Sequence, residues 1–355
     1  MWLLNMQMGG LLIGGVLWGI LGDKRGRVSV LFGSIFLYSI ANIANGFVDS
    51  VETYAWLRLL AGIGLAGELG AGITLVSETM SKERRGYGTM IVATVGICGA
   101  VAAALVGDYF HWRTAYFVGG GMGILLLLLR IGVYESGLYK SLQDKNIAKG
   151  NFLQLFTNKK SFKKYLSVIM VGVPIWFVVG ILITFSPEIG TAMGMEIMPN
   201  AGKAIMYCYS GLAIGDFTSG FLSQILKTRK KVLLSFILLT AFFMIFYFTV
   251  AAADLTTFYI ICALMGFATG YWAVFITTAA ELFGTNIRAT VTTTSPNFVR
   301  GAVILLTILF NAGSGIIGII NSAMIVGFIT IILALFSLSF LEETFGKNLD
   351  YTEDD

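Results

Sequence analysis

The sequence predicts an all-α polytopic membrane protein built from two pseudo-repeated helical bundles. Three observations carry this: an apolar composition, apolar runs recurring at bilayer-spanning length, and an internal repeat. Of the 355 residues, 56% are hydrophobic and 12% charged, and the mean hydropathy is +0.81. Soluble domains carry roughly 25% charged residues. A hydrocarbon core about 30 Å thick needs about 20 mostly apolar residues per helix, and the chain breaks into eleven such runs. They cover about residues 2–21, 28–47, 55–78, 88–107, 114–133, 165–187, 204–226, 232–252, 257–281, 293–314 and 319–340. Barrel strands would be about ten residues long with strict alternation. Continuous runs of this length satisfy their own backbone hydrogen bonds as helices.

The connections set the expected orientation. Lys24, Arg25 and Arg27, then Lys82, Arg84 and Arg85, then the lysines from Lys140 to Lys164 fall in alternate connections. Lys227, Arg229, Lys230 and Lys231, then Arg288 and Lys347 continue the pattern, while the intervening connections hold only Arg113 and Lys203. The positive-inside rule places the basic set, with the acidic tail LEETFGKNLDYTEDD, in the cytoplasm. The net charge of +4 therefore reports topology, and no nucleic-acid partner is expected. Cys98, Cys208 and Cys262 fall inside apolar runs as packing residues. His111, the single histidine, has no cysteine beside it, so neither a metal nor another cofactor is expected. The first run has no charged segment before it and leads into a motif-bearing loop, unlike a signal peptide.

A repeat runs at an offset of about 204 residues. GILGDKRGRVSVL (19–31) aligns with SQILKTRKKVLLS (223–235), and LLAGIGLAG (59–67) with ALMGFATGY (263–271). SETMSKERRG (77–86) aligns with AELFGTNIRA (280–289), so that Glu78 matches Glu281 and Arg85 matches Arg288. The expected organisation is a five-helix bundle over 1–134, a basic cytoplasmic connection over 135–164, a six-helix bundle over 165–340 and an acidic cytoplasmic tail over 341–355. Projecting the span at 165–187 back by the repeat places its counterpart before residue 1, so the first bundle is expected to lack its first helix. The second-half turn KTRKK holds no acid, so a charge latch built on GDKRGR is expected to be asymmetric.

Gly19-Ile-Leu-Gly-Asp23-Lys24-Arg-Gly26-Arg27 resembles the GxxxDRxGR signature of the major facilitator superfamily, with Lys24 in place of an arginine. Arg58, Gly62, Gly64 and Gly67, with Glu78 and Arg84-Arg85-Gly86, are similar to the fourth-helix pattern of its sugar-porter and metabolite:proton symporter branches. ELFGTNIRAT (281–290) resembles the tenth-helix ending, with Gly284 where proline is common, and Glu343 to Lys347 resembles the branch's ETKGK tail. The seventh-span stretch VPIWFVVGILITF lacks the paired glutamines of sugar recognition. The resemblance implies that Asp23 meets the start of the eleventh-type helix near Ser295, and that Arg27 pairs with Glu78 and Arg85 in a relay holding an inner gate shut. Glu281 and Arg288 are the second-half counterparts. It further implies a first-helix aspartate as the partner of Arg58, on the helix that the first bundle is expected to lack.

Bottom-up, ionisable groups inside spans are costly and mark function. Arg58 and Glu78 are twenty residues apart, about 30 Å of helix, which leaves Glu68 near the midplane. Asp216, eleven residues before Lys227, lies about 16 Å in. Arg300 sits nearer the cytoplasmic third, beside Pro296 and Asn297. Transporter sites lie at this depth between repeats, so Glu68 and Asp216 are expected to carry protons and Arg300 to meet an anionic group. Trp176, Tyr207, Tyr271 and Trp272 offer walls for an aromatic solute or apolar packing. A buried Arg300–Asp216 pair without a transport role stays open.

The GIGLAG stretch (62–67) matches a dinucleotide-loop pattern but lies inside a helix, where its glycines permit close packing. The expected function is secondary active transport of a small organic solute, anionic or aromatic, by alternating access with proton symport. The protein is expected to be a multi-pass monomer of the inner (plasma) membrane and not an enzyme. An exporter of the same fold and a transport-inactive remnant stay open. A membrane enzyme would have only Asp108, His111 and Arg113 to work with.

Overall fold

The computed structural model describes residues 2–143 and 147–353. Lys145, the last two acids of the tail and the side chain of Asp108 lie outside the described residues. Twelve long helical segments follow in order: α1 (Trp2–Arg25), α2 (Arg27–Asn45), α3 (Val51–Thr79), α4 (Arg85–Tyr109), α5 (Trp112–Leu129), α6 (Lys159–Phe177), α7 (Ala201–Ile225), α8 (Lys230–Thr249), α9 (Leu255–Thr269), α10 (Trp272–Leu282), α11 (Arg288–Ile317) and α12 (Ile319–Phe340). Since α9 and α10 are two segments of one span, these make eleven crossings. Ten are long and apolar enough to cross a bilayer by composition. The eleventh, α7, is 25 residues long but is diluted by Lys203, Ser210, Asp216, Thr218, Ser219, Ser223 and Gln224.

Local chemistry sets the ends. Ser50, Asn158, Asn200 and Asp254 accept from the first amides of α3, α6, α7 and α9, each satisfying donors the helix cannot. Gly26, at φ +100°, makes the reversal between α1 and α2 in a conformation L side chains rarely adopt. Past Pro174, α6 continues through a π-turn at Val178–Ile183, a local widening typical of functional helices. Most spans begin earlier than expected, furthest at α6, which begins at Lys159, and at α11, which begins at Arg288. Hydropathy excludes the polar first turns that the backbone nevertheless winds into helix.

Helices α1–α5 pack on one another, as do α6–α12, and a seam joins them where α1 and α3 meet α11 and where α4 meets α7 and α10. On the second side α6 packs against α10, α11 and α12. Among the described residues no helix takes the matching place on α3, α4 and α5, and a Cβ at Gly96, Gly99, Gly119 or Gly121 would meet nothing within 4 Å.

Candidate transport pathway and its charge clusters

The basic end of the seam holds a buried charge cluster. Arg27 grips Glu78 with two bonds, Nη2 to Oε1 at 2.9 Å and Nε to Oε2 at 3.2 Å, the fork geometry that suits a guanidinium to a carboxylate. Its Nη1 donates to the Gly22 carbonyl at 2.8 Å, and Nη2 reaches across the seam to the Thr285 carbonyl at 3.1 Å. Asp23 accepts from the amides of Ala289 at 3.1 Å and Thr290 at 2.8 Å and from the Thr290 hydroxyl at 2.7 Å. It thus sits on the N-terminus of α11, where the helix dipole favours an anion. Gly19 lets α1 come within contact of the Thr290 backbone. Lys24 and Arg84 are exposed, and the Lys24 carbonyl accepts from the Tyr139 hydroxyl.

Two expectations are corrected here. Asp23 meets Ala289 and Thr290 instead of Ser295, because α11 starts earlier than its apolar run. The relay is Arg27–Glu78–Arg288, not Arg27–Glu78–Arg85: Arg288 Nη1 crosses the seam to Glu78 Oε1 at 3.1 Å, while Arg85 is buried with Nε and Nη1 unpartnered among the described residues. The residues on the other side of the seam decide this exchange, and no one helix shows them.

The second group repeats the arrangement through residues the sequence reading did not assign. Arg229 donates from Nε and Nη2 to Glu281, both at 3.2 Å, and from Nη1 to Ser223 and Gln224, both at 2.8 Å. The Ser136 hydroxyl bonds Glu78 at 2.5 Å and the Thr344 hydroxyl bonds Glu281 at 2.7 Å. The expected asymmetry takes a specific form: where Asp23 reaches across to α11, the neutral Gln224 reaches across to the Glu83 carbonyl at 2.9 Å. Two hydroxyl pairs close the seam above these clusters, Thr74 with Thr292 at 2.5 Å and Thr89 with Thr277 at 2.7 Å.

Deeper in the seam, Arg300 is partly exposed, about 18 Å along α11 from its basic end. Its guanidinium lies between two indoles, 5.3 Å from the centre of the Trp272 ring and 5.7 Å from that of Trp176. Its hydrogen bond goes to Asn297 Oδ1 at 3.3 Å, and Asn297 Nδ2 crosses the seam to the Ala66 carbonyl at 2.9 Å. Trp176 packs on Met8, Leu11 and Ala66 of the other side. Among the described residues no carboxylate comes within ion-pair distance of Arg300, so the Arg300–Asp216 pair does not form.

The other expected residues lie apart from this site. Glu68 pairs with Arg130 at 3.1 Å, on the side of α3 facing α5. Arg58 is not left alone: it donates to the Tyr116 hydroxyl at 3.1 Å and to Gln7. Tyr271 is buried, its hydroxyl on the Val171 carbonyl at 3.0 Å, and Tyr207 stacks on Tyr259 with centroids 5.2 Å apart. Asp216 is fully buried, with Oδ1 accepting from the Ala273 amide at 2.6 Å.

A family model described as Major Facilitator Superfamily matches residues 1–319. The chain belongs to the major facilitator superfamily. It is 27% identical over 310 residues, 84% of this chain and 75% of the relative, to NiaP, a proposed niacin/nicotinamide transporter of Bacillus subtilis (strain 168). It is 25% identical over 251 residues, 66% of this chain and 58% of the relative, to the sialic acid transporter NanX of Escherichia coli (strain K12). Its fold is similar to that of the proton:xylose symporter XylE bound to 6-bromo-6-deoxy-D-glucose, with a TM-score of 0.75 at 17% identity, over 98% of this chain and 86% of that one. This major facilitator chain is a multi-pass integral membrane transporter, and its relatives carry metabolites instead of transforming them.

Proposed function

We propose that the chain moves a small organic anion with an aromatic or otherwise planar body, together with a proton, by alternating access at the seam. One observation carries this reading: Arg300 stands beside two tryptophans, at the depth where such folds bind their cargo, with no carboxylate within ion-pair distance among the described residues. A cation in a low-dielectric interior is costly without a counter-charge, and a substrate carboxylate supplies one while its ring lies against Trp176 or Trp272. The substrates named for the relatives NiaP and NanX include niacin and sialic acid, which are both carboxylates. The basic end then faces the cytoplasm with the tail, and the Arg27–Glu78–Arg288 cluster is the inner gate. Of the two carboxylates expected to carry protons, Asp216 is favoured over Glu68, because Arg130 already neutralises Glu68.

Calorimetric binding to the purified protein tests this. Niacin binds, nicotinamide binds at least about tenfold more weakly, and Arg300→Gln costs niacin at least about tenfold, the scale of one charge-assisted hydrogen bond. Equal affinity for acid and amide, or an undiminished Arg300→Gln, overturns the reading.

A further inference from the structure

The span formed by α9 and α10 is broken at Gly270 and Tyr271, where the Gly270 backbone lies directly against α7 at Gly215 and Asp216. The break frees the first amides of α10 inside the membrane, where no water can satisfy them. Asp216, from α7, takes this role: its Oδ1 accepts from Ala273 at 2.6 Å, with the Trp272 amide beside it. Its Oδ2 faces the Thr94 hydroxyl of α4, across the seam, at 3.4 Å. The residue held by this cap is Trp272, the first of α10, whose ring covers Arg300.

We propose that Asp216 is the positioning residue that links proton to substrate, through the cap it places on α10 and the indole that cap holds over Arg300. This rests on the reading of Arg300 as the anion site. The ionised carboxylate accepts from the amides and fixes Trp272 on the guanidinium. A proton on Asp216 removes the charge opposite the helix dipole, and α10 gives up its hold on Trp272. Arg300 then faces the pathway without the Trp272 cover, with Trp176 still beside it, so proton and organic anion bind together, as symport requires.

The neighbours of Asp216 leave it as the titrating group. Thr94 is the α4 residue bonded to it, and the nearest charged residues along α4 and α10, Arg85 and Glu281, lie about 12–14 Å from its bonded partners along their helices. From α9, Tyr259 is bonded to the Asn200 amide, and Cys262 is buried and free. From α8, the Tyr247 hydroxyl is bonded to the Leu182 carbonyl. On α7 itself Tyr209 lies toward Arg300, and among the described residues no salt bridge reaches Asp216.

Tryptophan fluorescence of the purified chain, titrated with pH without ligand, reads the link directly. The wild type shows a one-proton transition, and both Asp216→Asn, which keeps the acceptor but cannot titrate, and Trp272→Phe abolish it. A wild type without the transition, or an Asp216→Asn that retains it, overturns the inference. With niacin present, wild-type affinity rises by up to about tenfold per pH unit on acidification, the limit for one linked proton, and Asp216→Asn is flat. A pH-dependent affinity in Asp216→Asn also overturns the inference. If niacin fails to bind the wild type, the anion-site reading falls, while the ligand-free transition still decides the cap.

Discussion

Two carboxylates that close the N-termini of helices show how single residues build the basic end. Glu135 accepts from the Val28 amide at 3.1 Å, at the start of α2. Glu343 does the same for α8, accepting from Arg229 at 2.8 Å, Lys230 at 3.2 Å and the Thr228 hydroxyl. Each is followed by the hydroxyl residue, Ser136 or Thr344, that bonds the buried glutamate of its cluster, Glu78 or Glu281. Partial burial pushes the Glu343 carboxyl up, but the Arg229 amide, the Thr228 hydroxyl and the Phe345 and Lys230 amides outweigh it, so the group ends below its ordinary value of 4.5. A carboxyl lowered on folding contributes stability that is complete above that value and is lost as pH falls through the folded one. Apparent melting temperatures in detergent are therefore expected to be lower for Glu343→Gln than for the wild type at pH 7, with the gap closing as pH falls below the ordinary carboxyl value. A gap that does not change with pH contradicts this account of the tail.

At the scale of elements, much of the basic end was legible because its charges stand where apolar runs end, in motifs similar to those of the superfamily. Asp23, Arg27, Glu78, Glu281 and Arg288 are marked that way, and all fall in the two buried charge clusters. Their partners were less legible. A single offset of 204 sets Lys231 against Arg27, whereas the residue in that role is Arg229. The spacing would have found it, since Arg27 and Glu78 are 51 apart and Arg229 and Glu281 are 52 apart. The break between α9 and α10 was read as continuous because Gly270 and Tyr271 interrupt neither the hydropathy nor the length of the run. The start of α11 is where the two sides touch most closely, and the Thr74–Thr292 contact makes it testable. In a Cys98→Ala background, oxidising Thr74→Cys with Thr292→Cys is expected to reduce uptake to background, with recovery on reduction. Full uptake by the cross-linked protein would mean that the seam does not part there.

Across the whole molecule, the charge clusters lie at the basic end of the seam and the Arg300 site lies deeper in it. Bonds that cross the seam lie mainly at the basic end: Asp23 to α11, Glu78 to Arg288, Gln224 to Glu83 and the two threonine pairs. Midway, the crossings thin to Asn297 on Ala66 and Thr94 on Asp216. The structure therefore has its basic end closed. Fold class and span count follow from composition and run length, since the bilayer imposes both. Cargo does not, because it depends on which side chains of separate helices meet inside the seam.

Niacin uptake into proteoliposomes under an inside-alkaline pH gradient tests the central claim most directly. The account predicts accumulation above the external concentration that collapses with a protonophore and is absent in Arg300→Gln. Uptake that ignores the gradient and survives Arg300→Gln would contradict it.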